Sequence, residues 1–169
     1  MSFKIDKIGG TRITAIKPSA FVVFGVNLEG PYVHFCDING TFTKLLKTPT
    51  EDFLMKLAIS CVSTLGFGQE YVQGVMELPS FGISGHRLIL IAVDNTNLTI
   101  DDHNDHIDYF QIAMYIPNDV MMQLRTMITI EPEIMDYFKD LNPCIKEIDS
   151  TGFKKIKKDL LNILSTILE

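Results

Sequence analysis

Between Thr48 and Gly66 the chain reads TPTEDFLMKLAISCVSTLG, and no other stretch narrows the possible folds as far. Thr48 to Glu51 make a Thr-x-x-Glu pattern, in which the Thr48 hydroxyl accepts from the Glu51 N–H and the Glu51 carboxylate reaches back to Thr48. Pro49 then takes the first helical position, where its missing N–H costs nothing. Glu51 and Asp52 place negative charge at the positive end of the helix dipole, and Gly66 supplies a left-handed residue to end the helix. Between these ends Phe53, Leu54, Leu57, Ala58, Cys61, Val62 and Leu65 recur at three- and four-residue steps and share one face. Burial of such a face contributes on the order of 10 kcal/mol before ordering entropy is subtracted, so packing decides this element and helix propensity does not. Asp52, Lys56, Ser60 and Ser63 leave only a narrow polar stripe, flanked by Met55 and Ile59, and a helix this apolar has a second surface to cover.

A chain of 169 residues is long enough to bury one core without disulfides or metal, so residues 1–169 are expected to form a single domain. Its 46% hydrophobic and 21% charged content is that of a globular protein and excludes wholesale disorder. A net charge of −6 argues against nucleic acid as a partner, which would require a basic balance. Cys36, Cys61 and Cys144 are odd in number and show no paired spacing, as expected of reduced structural thiols. The opening residues MSFKIDKIGG carry no apolar signal-type run, and no stretch reaches the roughly 18–20 apolar residues that span a bilayer. A soluble, cytoplasmic protein is the expectation.

Along the chain, residues 1–17 read as an extension in which Arg12 to Ile16 can form a short extra strand. Ala20 to Val26 is β-branched and aromatic, Asn27 to Pro31 is turn chemistry, and Tyr32 to Asp37 returns as a second strand. Asn39-Gly40 is a further turn signal, after which Thr41 to Lys47 leads into the helix. Beyond Gly66, Glu70 to Leu78 alternates, with Val72, Met76 and Leu78 on one side and Tyr71, Gln73 and Glu77 on the other. Arg87 to Val93 is continuously apolar, the pattern of a central strand, and Ile107 to Ile116 follows a polar loop, Asp94 to Asp105. Residues 118–169 read as helices. One has Val120, Met121, Leu124, Met127 and Ile128 inward and is broken by Pro132, a short one spans Glu133 to Leu141, and a last runs from Thr151 to Leu168 with Lys154, Lys155, Lys157, Lys158 and Asp159 outward. The order ββαβββαα(α) predicts an α/β (α+β) sandwich: a mixed, mostly antiparallel five-stranded sheet, the long helix on one face and the C-terminal helices on the other face or edge.

This order, with GPYVHFCD, EDFLMKLAISCVSTLG, HRLILIAVDN and DYFQIAMYIP in sequence, resembles the longin and roadblock superfamily of regulatory domains over roughly Ser19 to Leu168. Longin domains are the nearer, because roadblock domains open with a helix that is not evident before Ala20. The resemblance implies a non-catalytic domain that dimerises or assembles through sheet edges and helices, with small GTPases or membrane-trafficking machinery among its partners. It transfers no individual residue.

Several local patterns invite chemical readings. Asp101, Asp102, His103, Asn104, Asp105 and His106 gather metal-ligand types, but match neither a Ca²⁺ loop nor a zinc-binding H-E-x-x-H helix, and a solvated loop is expected. His34 and Cys36, two apart on a strand, would share a face, yet no third group orients them as a nucleophile pair. Ser84, in the run Phe81 to His86, does not meet the G-x-S-x-G elbow and reads as a hairpin turn. Gly66-Phe67-Gly68 lacks the remaining residues of a phosphate loop.

No catalytic residue, cofactor or metal is therefore assigned. The functional expectation is a non-enzymatic regulatory or scaffold domain, a homodimer or hetero-assembly, recognising a protein partner such as a small GTPase through Met55 and Ile59. Two alternatives stay open: a small-molecule or metal-binding sensor or enzyme with a pocket on the sheet, and a membrane-surface tether through the basic last helix.

Overall fold

The computed structural model describes residues 17–27, 29–65, 72–94, 109–121, 127–141 and 147–165. The strands are β1 (Ala20–Asn27), β2 (Gly30–Ile38), β3 (Gly74–Leu78), β4 (His86–Asp94) and β5 (Tyr109–Pro117). The helices are α1 (Gly40–Thr43), α2 (Thr50–Leu65), α3 (Asn118–Met121), α4 (Met127–Leu141) and α5 (Ser150–Ser165). Both the α+β class and the expected order of five strands are found. The sheet runs β2-β1-β5-β4-β3, and every neighbouring pair in it is antiparallel.

That order follows from α2. The hairpin β1–β2 grows outward from the middle and the meander β3–β4–β5 grows inward, so β1 and β5 meet at the centre. The alternation of directions then makes the two edge strands, β2 and β3, run the same way. Only a crossover element can join such strands, and α2 is that element. Position in the sheet accounts for the sequence pattern: β5 is buried from Tyr109 to Ile116 and β4 from Leu88 to Val93, because both faces are covered.

The two faces carry separate cores. On one, Ala20, Val22, Phe24, Leu88, Leu90 and Tyr115 meet Phe53, Leu54, Leu57, Ala58 and Cys61 of α2, with Phe42 of α1 inserted at the end. On the other, Phe21, Val23, Ile89, Ile91, Ile112 and Met114 meet Ile130, Ile134 and Phe138 of α4 and Phe153, Ile156, Leu160 and Leu164 of α5.

Several local expectations are corrected. In α2 the first-turn bond runs from the Phe53 N–H to the Pro49 carbonyl at 3.0 Å, so Pro49 takes the cap position that the sequence assigned to Thr48. Asn39 caps a short helix as well as ending a strand: its side chain accepts from the Phe42 N–H at 2.7 Å. Pro132 does not break a helix but lies inside α4, so residues 127–141 form one helix where the sequence reading ends one and begins another. Pro132 is exposed, and on that side water can satisfy the carbonyl one turn back that proline leaves unbonded. β3 begins only at Gly74; Val72 is exposed ahead of it, Met76 and Leu78 pack toward α2, and Val75 packs toward α4. Lys157 does not point outward: it is half-buried against β2.

β2 departs most from simple alternation. Val23 pairs with Phe35 but Phe24 pairs with Val33, so His34 is an extra, bulged residue. The bulge turns its ring onto Phe153 of α5, with centroids 5.2 Å apart, while Cys36 stays paired with Val22 and exposed. His34 and Cys36 therefore do not share a face, and the nucleophile pair is not assembled. Beside them the Tyr32 ring covers Gly25 so closely that a Cβ there would lie 2.4 Å from it, which explains a glycine in a central strand.

The expected extra strand Arg12 to Ile16, the helix end at Gly66, the loop Asp101 to His106, Cys144, Leu124 and the side chains of Val120, Met121, Met127 and Ile128 lie outside the described residues.

Candidate functional site

α2 buries Phe53, Leu54, Leu57, Ala58 and Cys61 and exposes Asp52, Met55, Lys56, Ile59 and Ser63 on its outer surface. Met55 and Ile59, one turn apart, are 47% and 50% exposed. These are the largest exposures among the large hydrophobic side chains of the described residues. A single exposed apolar residue needs no explanation, but two stacked on one helix face form a small patch that no element among the described residues covers.

On the other flank of α2 a groove of about 420 Å³ opens between the helix, the segment leading into it and the β3–β4 turn. Leu45, Leu46, Phe53 and Ile83 give it apolar walls, Lys56 stands at its rim, and Phe81 forms the lip opposite the helix. Leu45 and Phe81 are each 42% exposed. Phe81 holds a left-handed backbone, φ 50°, immediately before Gly82 at φ 85°. An aromatic residue in that conformation costs about 1–2 kcal/mol. The turn keeps it there because the Ser80 carbonyl is fastened twice, accepting from the Ile83 N–H at 3.2 Å and from the Tyr115 hydroxyl at 3.1 Å. Met55, Ile59, the groove and Phe81 together make the α2 side the candidate interaction surface.

The run Phe81 to His86 is a hairpin connection followed by a strand, as its sequence suggests, but His86 has a partner that only the fold supplies. Its Nδ1 lies 3.0 Å from the Ser84 carbonyl, which can only accept, so Nδ1 donates there, and in the neutral ring Nε2 is left to accept from the Ser19 hydroxyl 2.9 Å away. Hydroxyl, imidazole and orienting carbonyl reproduce the order of a serine–histidine pair. Their surroundings do not suit catalysis. Ser19 is buried, its N–H donates to the Tyr115 carbonyl at 2.8 Å, and its own carbonyl accepts from the Asn39 N–H at 3.0 Å. Neither Ser19 nor His86 lines the groove. The pair clasps β1 to β4 past the end of β5.

Under α2 the sheet carries polar groups. Gln111, fully buried on β5, donates to the Tyr109 hydroxyl at 2.9 Å, which donates in turn to the Val72 carbonyl at 3.2 Å; the Gln111 Oε1 has no protein partner among the described residues. Burial pushes the Cys61 thiol up to about 12 from a usual 9.0, and burial, with Cys61 nearby, raises Tyr115 as well. Neither group is a nucleophile at neutral pH. Among the described residues no cluster of histidine, cysteine or carboxylate side chains is arranged to hold a metal ion, and no described helix is long and apolar enough to cross a membrane.

Set against protein families, curated proteins and solved structures, the chain matches none of them.

Proposed function

We propose that the chain is a non-enzymatic, longin-like regulatory or scaffold domain that binds a protein partner through the outer surface of α2. The observation that carries this reading is the pair Met55 and Ile59, exposed side by side on the crossover helix of a β2-β1-β5-β4-β3 antiparallel sheet. The element order supports the kinship, and the kinship points to a small GTPase or to a second copy of the chain as the occupant. An apolar pair of this size serves as the centre of an interface whose rim is polar, and Asp52, Lys56 and Ser63 surround it on the helix.

Replacing both residues in a Met55→Glu/Ile59→Glu variant tests the reading. The variant is expected to fold with an unchanged melting temperature, to sediment as a monomer, and to lose at least tenfold in affinity for any nucleotide-loaded small GTPase that the parent chain retains. A variant with unchanged assembly state and unchanged binding removes α2 as the interface.

The groove beside α2 supports a second reading, a small-molecule sensor, because its volume lies in the range of ligand sites. A rise in melting temperature with one member of a metabolite and nucleotide panel, abolished by Phe53→Asp, would favour it.

A further inference from the structure

On the far face, away from α2, a second groove of about 480 Å³ lies between α5 and the adjoining ends of β1 and β2. Its charge is opposite to that of the chain. Lys154, Lys157 and Lys158 line it from α5 and Lys17 from the residues before β1, in a protein whose net charge is −6. Asp37 on β2 is the single carboxylate among the described lining residues, and it is already engaged by Lys157, Nζ to Oδ2 at 2.8 Å. The neighbouring carboxylate on α5, Asp159, is turned toward α4 and accepts from the Tyr137 hydroxyl at 2.9 Å. Lys154, Lys158 and Lys17 are exposed, and among the described residues none of them forms an ion pair.

Helical geometry explains why these lysines gather. The positions 154, 157, 158 and 161 recur at three- and four-residue steps, so they stack along the flank of α5 next to β2, beside the core-facing Phe153, Ile156 and Leu160. Lys155 falls on the opposite flank and is not a lining residue. Pro18 and Leu161 add apolar wall, so the groove offers cations on two sides and room for an organic body between them.

We infer that this groove binds an organic ligand bearing two or more phosphate groups, with Lys17 contacting it from one wall and Lys154 and Lys158 from the other. Ammonium groups on flexible stems act as point charges for phosphate, and bringing several of them together without counter-charges costs repulsion that a polyanion relieves. Lys157, held by Asp37, orients the helix flank and meets the ligand only if that ion pair opens. The same phosphate chemistry occurs on soluble compounds and on lipid head groups. This site is separate from the α2 surface and does not depend on it.

The test titrates the full chain with inositol trisphosphate by calorimetry. In parallel it is sedimented with phosphatidylcholine vesicles with and without phosphatidylinositol bisphosphate. Binding to the soluble probe alone identifies a soluble ligand, and sedimentation specific to the bisphosphate vesicles identifies a head group; either supports the site. Lys154→Gln and Lys158→Gln, made singly, should each weaken binding about threefold or more. Lys155→Gln, equal to either of them in charge change and likewise exposed, should change it by less than about twofold, and Asp37→Asn should tighten it about threefold by removing the opposing carboxylate. Absence of binding in both arms overturns the proposal. So does a Lys155→Gln loss as large as that of either groove lysine, since the attraction would then belong to diffuse charge and not to the groove.

Discussion

The two faces of the sheet are built to different standards of closure. Against α4 and α5 the sheet presents aliphatic and aromatic side chains, and both helices interlock with it through Ile130, Ile134, Phe138, Phe153, Leu160 and Leu164. Against α2 it presents two tyrosines and a glutamine whose Oε1 has no protein partner among the described residues, covered by α2 with its Cys61 thiol and by Phe42 of α1, with a groove along one flank of α2 and an apolar pair on its back. The sheet side chains beneath α2, among them Leu90, Ala113 and Tyr115, are fully buried, so this side is open only at the groove beside the helix and on the helix's outer surface. What this teaches is a division of labour: the closed face supplies stability, and the open face can afford surfaces that stability alone would not select.

The sharpest way to break that comparison is to make the same deletion on both faces. Phe138→Ala removes a fully buried ring from the α4 layer and is expected to cost about 3–5 kcal/mol, because close packing leaves the cavity little way to collapse. Phe53→Ala removes a ring that already borders the groove, so part of the new space joins solvent and the cost falls to about 1–3 kcal/mol. Urea midpoints at constant slope would measure both. Equal losses would mean that the groove is no softer than the closed core.

A second test uses pH. Cys61 and Tyr115, both on the α2 face, are held protonated by burial. A raised folded-state value means that the native state keeps a proton the unfolded chain releases. Stability from Cys61 is therefore fully present below about 9 and is lost as pH rises toward about 12. Over that window the slope attributable to one such group is about 1.4 kcal/mol per pH unit. Cys61→Ala should lower stability at neutral pH by about 1 kcal/mol yet flatten the alkaline decline, leaving the part due to Tyr115. At neutral pH a thiol reagent should label Cys36 at once and reach Cys61 only through unfolding, in a Cys144→Ser background. An alkaline decline unchanged by Cys61→Ala would take the thiol out of the account.

How far the sequence revealed all this depended on the range of the interactions involved. α2, β4 and β5 were legible because periodicity is local: Phe53, Leu57 and Cys61 mark a helix face, and Arg87 to Val93 marks a strand covered twice. The bulge at His34 was not, since alternation along β2 gives no sign of a slip set by its pairing with β1. Pro132 reads as a break because the rule for proline concerns the lost hydrogen bond, whereas its exposed position decides whether that loss matters. Met55 and Ile59 could be named from the helical wheel alone. Phe81 could not, as neither its left-handed backbone nor its place at the groove lip follows from a Ser-Phe-Gly turn sequence. The lysine groove needed residues 17, 37 and 154 in one place, and nothing short of the tertiary fold brings them there.

Phe81 also gives the smallest expected effect and the most discriminating one. If its strain is tolerated only because the ring serves the open face, relieving the strain should help the fold and harm binding. Asparagine accepts the left-handed conformation more readily than an aromatic residue, so Phe81→Asn should raise stability by about 0.5–1 kcal/mol, despite the loss of a half-exposed ring. In the assay used for the Met55 and Ile59 variant it should weaken partner binding severalfold if the interface extends across the groove, and leave binding untouched if the interface is confined to the back of α2. A destabilised Phe81→Asn would show that the ring holds the hairpin in place, and the strained turn would then belong to the packing of the fold and not to the surface it borders.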